Sequence, residues 1–278
     1  MNWPTLQADQ LANTRDALHS YAQVLGDWLK ATRPRRKHWW HASLRPSLRG
    51  LTTGVIAGPV PFELELNLAD SLLEARTDGG ASVREPLAGQ APRDLAVTIN
   101  LFLTDAGLDT RDAPAISSAQ TFEYAPEQAN AMGAAFSAVA AALADFRADI
   151  PEETSPIQLW PHHFDLAMLW LPGEKISGQD PADEEYSDKQ MNFGFVLGDE
   201  TIAEPYFYVT AYPTPEGMAE VSLPAGAQWR SEGFTGAVLP YAGLLRHGDP
   251  QAELLKLWRT LLDAGRERML SAALAPPP

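Results

Sequence analysis

Hydrophobic spacing divides the chain into alternating helical and extended stretches. Over residues 7–32, Leu11, Leu18, Ala22, Leu25 and Leu29 recur at spacings of seven, four, three and four. Those spacings place all five on one stripe of a helix, and Pro34 ends it. Residues 60–87 switch to a period of two: Phe62, Leu64, Leu66 and Leu68 alternate with Glu63, Glu65 and Asn67. This predicts a β-meander with one buried and one wet face, turned at Asp78-Gly79-Gly80. The helical period returns at 92–107, where Leu95, Ile99, Phe102 and Ala106 form a stripe closed by Gly107. It returns again over 126–150, where Met132, Phe136, Val139, Leu143 and Phe146 supply the apolar side of an alanine-rich helix suited to close packing. A strand bent at Pro161 is predicted over 157–171, an aromatic strand from Tyr206 to Tyr212, and short strands within 217–240. Asp249 and Pro250 open a last amphipathic helix lined by Leu254, Leu257, Trp258, Leu261 and Leu262, and the closing APPP reads as a frayed tail.

This order predicts an α+β fold, with antiparallel sheets in two blocks covered by about four main helices. No linker-like break in composition separates the halves, so a single domain over 1–278 is expected. Its finer division is two lobes: helix, strands and helices over 1–150, then strands and a C-terminal helix over 151–270. Hydrophobic content of 45% and charged content of 21% are those of a globular chain. No apolar run reaches the roughly 18 residues that a bilayer span needs. The opening MNWPTLQADQ lacks the basic start and apolar core of a signal peptide. Without cysteine there is no disulfide, thiolate nucleophile or cysteine metal site, which fits a cytoplasmic protein. A net charge of -15 repels phosphate, so nucleic acid is not an expected partner, and neither is a membrane.

Charge is unevenly spread. From Trp28 to Phe62 there are seven Lys or Arg and no Asp or Glu, a third of the chain's 21 positive residues. Such asymmetry suits either an anionic ligand or a solvated basic loop. The segment contains HWWH, in which His38 and Trp40 would share one strand face and Trp39 and His41 the other. The stretch Ser155–Ala167, SPIQLWPHHFDLA, carries the other concentration of chemistry. Read as a strand, it points His163 and Asp165 the same way. Imidazole and carboxylate can hold a divalent metal ion or form an acid/base pair, with Asp199 and Glu200 of the Gly198 turn as further partners. No HExxH-type spacing accompanies them, and no GxSxG elbow supplies a nucleophile.

Several of these marks occur in an order that resembles an uncharacterised bacterial family of unknown function, DUF5996. They are Trp3-Pro4, Ala17-Leu18-His19 to Gln23 to Gly26, HWWH at 38–41, GLTT at 50–53, Phe-Asp-Leu-Ala at 164–167, Glu185-Tyr186-Ser187, Tyr212-Pro213 and Leu239-Pro240-Tyr241. After Ser187 stands Asp188, where the family's pattern has histidine. The resemblance names relatives and implies no activity.

The candidate catalytic residues are therefore His163, Asp165 and Asp199. The ligand-lining candidates are His38, Trp39, Trp40, His41, Arg45 and Arg49 from the basic segment, with His19, Trp160 and Tyr186. The leading expectation is a protein that binds a small or anionic molecule in a His/Trp/Asp-lined cleft, with hydrolase-like chemistry as its catalytic form and a divalent metal as the cofactor to test. The rival is a non-enzymatic interaction protein that uses the same aromatics and basic segment to contact a partner.

Overall fold

The computed structural model describes residues 3–270, so the APPP tail lies outside the described residues. From the N-terminus come helix α1 (Ala8–Thr32), a 3-10 segment (Lys37–Ala42), strands β1 (Arg45–Pro46), β2 (Gly50–Thr52), β3 (Phe62–Asn67), β4 (Leu72–Thr77) and β5 (Ser82–Pro86), then helices α2 (Pro92–Asp105) and α3 (Pro126–Ala148). Next come β6 (Glu153–Thr154), β7 (Gln158–Trp160), β8 (Asp165–Leu171), the short helix α4 (Glu184–Ser187), β9 (Gln190–Val196) and β10 (Tyr206–Tyr212). The chain closes with β11 (Gln228–Arg230), β12 (Gly236–Pro240), the short α5 (Tyr241–Leu244) and α6 (Pro250–Met269). The fold is α+β with two antiparallel sheets. It divides into two compact units: residues 3–138 with 158–165, and residues 139–157 with 166–270.

In the first unit, the α1 stripe is buried as its spacing requires, from Leu11 through Leu29. Each such leucine contributes about 2 kcal/mol through the surface it removes from water. The Arg33 amide donates to the Leu29 carbonyl, and Pro34 prevents another turn. The five-stranded sheet runs β1-β2-β3-β4-β5. Leu64 pairs with Ala75 and Leu66 with Leu73 on the core face. The opposite face is not wet as the alternation predicts: Glu65, Asn67 and Glu74 are buried. Their polar groups satisfy one another. Arg76 donates to Glu65 at 2.7 Å and to Glu63 and Glu74 at 3.2 and 3.3 Å, while Asn67 donates to Glu74 at 3.0 Å. Helix α2 ends two residues before Gly107, whose φ of 89° turns the chain so that the Leu108 amide reaches the Leu103 carbonyl.

Two segments depart from the extended conformation that their patterns predict. HWWH is a 3-10 turn in which His38 and Trp39 have left-handed backbone, φ 47° and 58°. The turn is closed locally, because the Arg36 amide donates to the His41 ring and Ser43 Oγ reaches the Trp40 carbonyl. The 157–171 stretch is likewise not one bent strand. Residues 161–164 form a turn between β7 and β8, with the His163 and Phe164 amides donating to the Trp160 carbonyl and Phe164 at φ 53°.

In the second unit the antiparallel sheet has the path β11-β12-β10-β9-β8-β6. Helix α6 begins as predicted: Asp249 accepts from the Ala252 amide and Pro250 occupies the first turn. Its Trp258 lies 5.4 Å from Phe146 and 6.2 Å from Phe207, ring to ring, at the centre of this core. The acidic 172–190 stretch is held by Lys175–Asp188 at 2.5 Å and Lys189–Glu174 at 2.6 Å. By length and composition α3 would serve as a membrane span, yet 56% of that apolar window is buried within the protein.

Candidate functional site

The turn at 161–164 changes the standing of His163. A strand would have aimed it alongside Asp165; the turn leaves it exposed while Asp165 is buried at the start of β8. The shared-face arrangement therefore does not exist, because a left-handed residue intervenes and breaks the two-residue parity. Asp199 lies in the second unit, where its carboxylate is committed to its own loop. It accepts from the Thr201 and Ile202 amides at 2.7 and 2.8 Å and from the Tyr206 hydroxyl at 2.6 Å. Glu200 is exposed beside it. Tyr186, also in the second unit, is exposed and meets Tyr212 edge to face at 6.0 Å.

His19 serves this turn. Its Nε2 lies 3.1 Å from the His162 carbonyl oxygen and 3.2 Å from Gln23 Nε2, and its ring stacks on Phe164 at 5.4 Å. Burial lowers its pKa, opposed by the carbonyls of His162 and Pro161. Gly26, two turns further along α1, allows the turn to sit close: a Cβ there would lie 2.8 Å from Pro161 Cγ. Trp160 is half-buried, and its carbonyl anchors the turn.

The basic segment forms a denser constellation. Arg35 lies 5.0 Å from the Trp39 ring and Lys37 lies 5.0 Å from the Trp40 ring, so both indoles carry a cation. The i, i+2 pairing survives the change in backbone, with His38–Trp40 centroids 6.1 Å apart and Trp39–His41 5.6 Å apart. His41 is buried and accepts from the Arg36 amide at Nδ1, which places the proton of the neutral ring on Nε2. Its pKa is lowered by burial and then by Arg35, Lys30 and Arg33. Arg49 is exposed and paired with Asp70.

Arg45 differs from Arg49. Its Nη1 donates to Ser43 Oγ at 2.8 Å and to Gln158 Oε1 at 2.7 Å, which uses both hydrogens of that nitrogen. Ser43 Oγ in turn lies 2.7 Å from Gln158 Oε1. Among the described residues no carboxylate pairs with this guanidinium, and burial, then the neighbouring charge of Arg33, lower its pKa to about 10. Arg33 is also half-buried and donates only to the carbonyls of Thr53 and Val55, at 2.8 and 3.0 Å; burial lowers its pKa too. Gln158 is fully buried, and its Nε2 has no acceptor; neither has the buried Nε1 of Trp40.

The fold thus brings Trp40, His41 and Arg45 into one unit with Ser43 and Gln158, and Arg45 to Arg33 through their mutual field. Ser43, Arg33 and Gln158 are absent from the residues that sequence reasoning singles out. For Gln158 a signal existed: it is the lone amide in an otherwise apolar strand of the 155–167 stretch. Among the described residues no three His, Asp or Glu side chains are grouped to hold a metal ion. A cavity of about 390 Å³ in the second unit, lined by Ile202, Gln228, Trp229, Arg230 and Val238 among others, includes none of the predicted residues.

The model of one family, described as a family of unknown function (DUF5996), matches residues 3–269. The chain belongs to that family. The match covers both units, so DUF5996 describes the whole α+β arrangement, with the basic segment and the 155–167 stretch inside it. No curated protein matches the chain, and no solved structure does. DUF5996 membership assigns no chemistry, which leaves function to be argued from the site itself.

Proposed function

We propose that the protein binds a small anionic molecule through the basic segment of its first unit, with Arg45 as the anchoring cation. The observation that carries this reading is the pair of half-buried guanidiniums, Arg45 and Arg33, whose acceptors are all neutral. Taking a charge partly out of water costs several kcal/mol unless an opposite charge or a full set of hydrogen bonds compensates. Proteins ordinarily meet that cost with a carboxylate, and among the described residues none pairs with either guanidinium. An anion from solution would satisfy Arg45 in the same way, and the field of Lys30, Arg33 and Arg35 would draw it in despite the chain's net charge.

The tryptophans contribute through the cations they hold. With Arg35 and Lys37 already against Trp39 and Trp40, the indoles fix the positive groups and are not an open platform for a ligand ring. The catalytic form of the expectation loses its support: His163 is exposed on a turn, and Asp199 is occupied in another unit. The test is calorimetric titration with sodium acetate and inorganic phosphate at low ionic strength. Saturable binding by at least one of them, weakened about tenfold or more in Arg45→Met, is expected. Absence of binding to either, or equal binding by Arg45→Met, would sink the proposal.

A further inference from the structure

We infer that Gln158 and Trp40 select the ligand, forming with Arg45 a donor-only seat for the carboxylate group of a small organic acid. This rests on the anion-binding reading and deepens it by naming the ligand class and two residues that read it. The orientation of the Gln158 amide is not free. Arg45 Nη1 can only donate, so the atom facing it at 2.7 Å must be the carbonyl oxygen. Nε2 must then point elsewhere, and it does so as a donor without an acceptor in a side chain that is fully buried. Leaving such a group unmet costs about 1–3 kcal/mol. Trp40 Nε1 is likewise a buried donor without an acceptor, on a half-buried side chain, and the Trp40 carbonyl accepts from Ser43 Oγ at 2.9 Å, tying the residue into the Ser43–Gln158–Arg45 network. Arg45 keeps Nε and Nη2 for a further partner, and that edge of a guanidinium matches two oxygens of one oxyanion.

Elsewhere the Trp170 indole faces the Glu152 carboxylate, which is already paired with Arg266, and the unmatched Trp258 nitrogen is enclosed by Phe146 and Phe207 in an aromatic core. What distinguishes the Trp40 and Gln158 donors is their linkage to an unpaired guanidinium. The donor set also selects among anions. Phosphate, with between one and two negative charges spread over a tetrahedron of oxygens at neutral pH, is ordinarily cradled by backbone amides at a helix N-terminus or a glycine-rich loop. Here α1 reaches the segment with its C-terminal end, the negative end of the helix dipole, and the remaining donors are one carboxamide and one indole. Arg33 is spent on the Thr53 and Val55 carbonyls, so at the seat itself one guanidinium and two neutral donors meet a single negative charge on two oxygens.

The test uses full-length protein labelled with ¹⁵N in its indoles and titrated with sodium acetate, sodium benzoate, inorganic phosphate and neutral acetamide. NMR and calorimetry are followed in parallel for the wild type, Trp40→Phe and Gln158→Glu. The Trp40 indole signal, identified by its loss in Trp40→Phe, is expected to move saturably with a carboxylate and to stay still with acetamide. Gln158→Glu provides the carboxylate from within the chain, so it is expected to lower carboxylate affinity about tenfold or more while raising the melting temperature. Tighter binding of phosphate than of either carboxylate overturns the carboxylate assignment and leaves the anion reading standing. A carboxylate that binds without moving the Trp40 signal, or binds Gln158→Glu unweakened, overturns the role given to these two side chains. No response to any of the three anions overturns both. Trp40→Phe keeps an aromatic ring at this half-buried position and keeps the test decisive if Gln158→Glu does not fold.

Discussion

Arg266, on α6 of the second unit, donates from Nε and Nη2 to the two oxygens of Glu152 at 2.8 and 2.7 Å; Arg45, in the first unit, donates from Nη1 alone and only to neutral oxygens. Both side chains are partly buried, and the consequences are opposite. The Glu152 pair holds the Arg266 pKa above its ordinary value, while burial and Arg33 bring Arg45 down to about 10. Burial pushes the Glu152 carboxyl upward, yet its bonds to Arg266 leave it below the usual carboxylate range. The difference separates a closed electrostatic unit from an open one. Arg266 ties α6 to the chain before β6, and its Nε–Nη2 edge is already taken by a carboxylate; in Arg45 that edge is left beside two unused donors.

The largest expected effect sets these two arginines against each other. Glu152→Gln strands Arg266 and should destabilise the protein by about 2 kcal/mol in urea denaturation, reduced from a fully buried pair by partial exposure. Arg45→Met should leave stability within about 0.5 kcal/mol or raise it, because it removes a charge that has no counter-charge. Equal losses in the two variants would erase the distinction. Gly26→Ala should have a smaller effect. Its new Cβ would press on Pro161 Cγ at 2.8 Å and approach the Ala42 carbonyl at 3.4 Å, both flanking the open site. Crowding of this kind costs about 1–3 kcal/mol, and the better helix propensity of alanine returns up to about 1 kcal/mol. A net loss of about 1 kcal/mol, with weakened acetate binding, is expected; a stabilised variant would show that the turn is not held against α1.

The smallest effect is in pH dependence. Burial lowers the pKa of His19 and His162, and burial followed by nearby cations lowers that of His41. A histidine whose folded pKa lies below its unfolded value binds fewer protons when folded. Its contribution is therefore intact above the unfolded value of 6.5 and is lost as pH falls toward the lowered folded value. Denaturation at about pH 7.5 and about pH 5.5 should show the acid loss, and His19→Gln should lessen it. An undiminished loss in that variant would assign the effect to other groups.

Periodicity alone determined α1, the meander, α2, α3 and α6, because 3.6- and 2-residue repeats of apolar side chains leave one way to bury a face. Caps such as Asp249-Pro250 and the stop at Gly107 were equally legible, since their chemistry is local. The concentration of positive charge at 28–62 was also plain, and it is where the candidate site lies. Legibility failed at three non-glycine residues that adopt left-handed backbone inside segments with a strand-like pattern. His38, Trp39 and Phe164 carry no sequence mark of their φ, so the pattern predicts extended HWWH and PHHF and pairs His163 with Asp165. The wet face assigned to Glu65 and Asn67 failed for a related reason, because Arg76 and Glu74 arrive from another strand to satisfy them. Gln158 shows in the sequence only as a lone amide in an apolar strand. A neutral amide has no charge pattern, and its meaning comes from Ser43 and Arg45, more than a hundred residues away in the chain. The sequence by itself determined the elements and where the charge is concentrated. Only the tertiary structure decided which arginine is paired and which is open, because a hydrogen bond's partner depends on position in space and not on order along the chain.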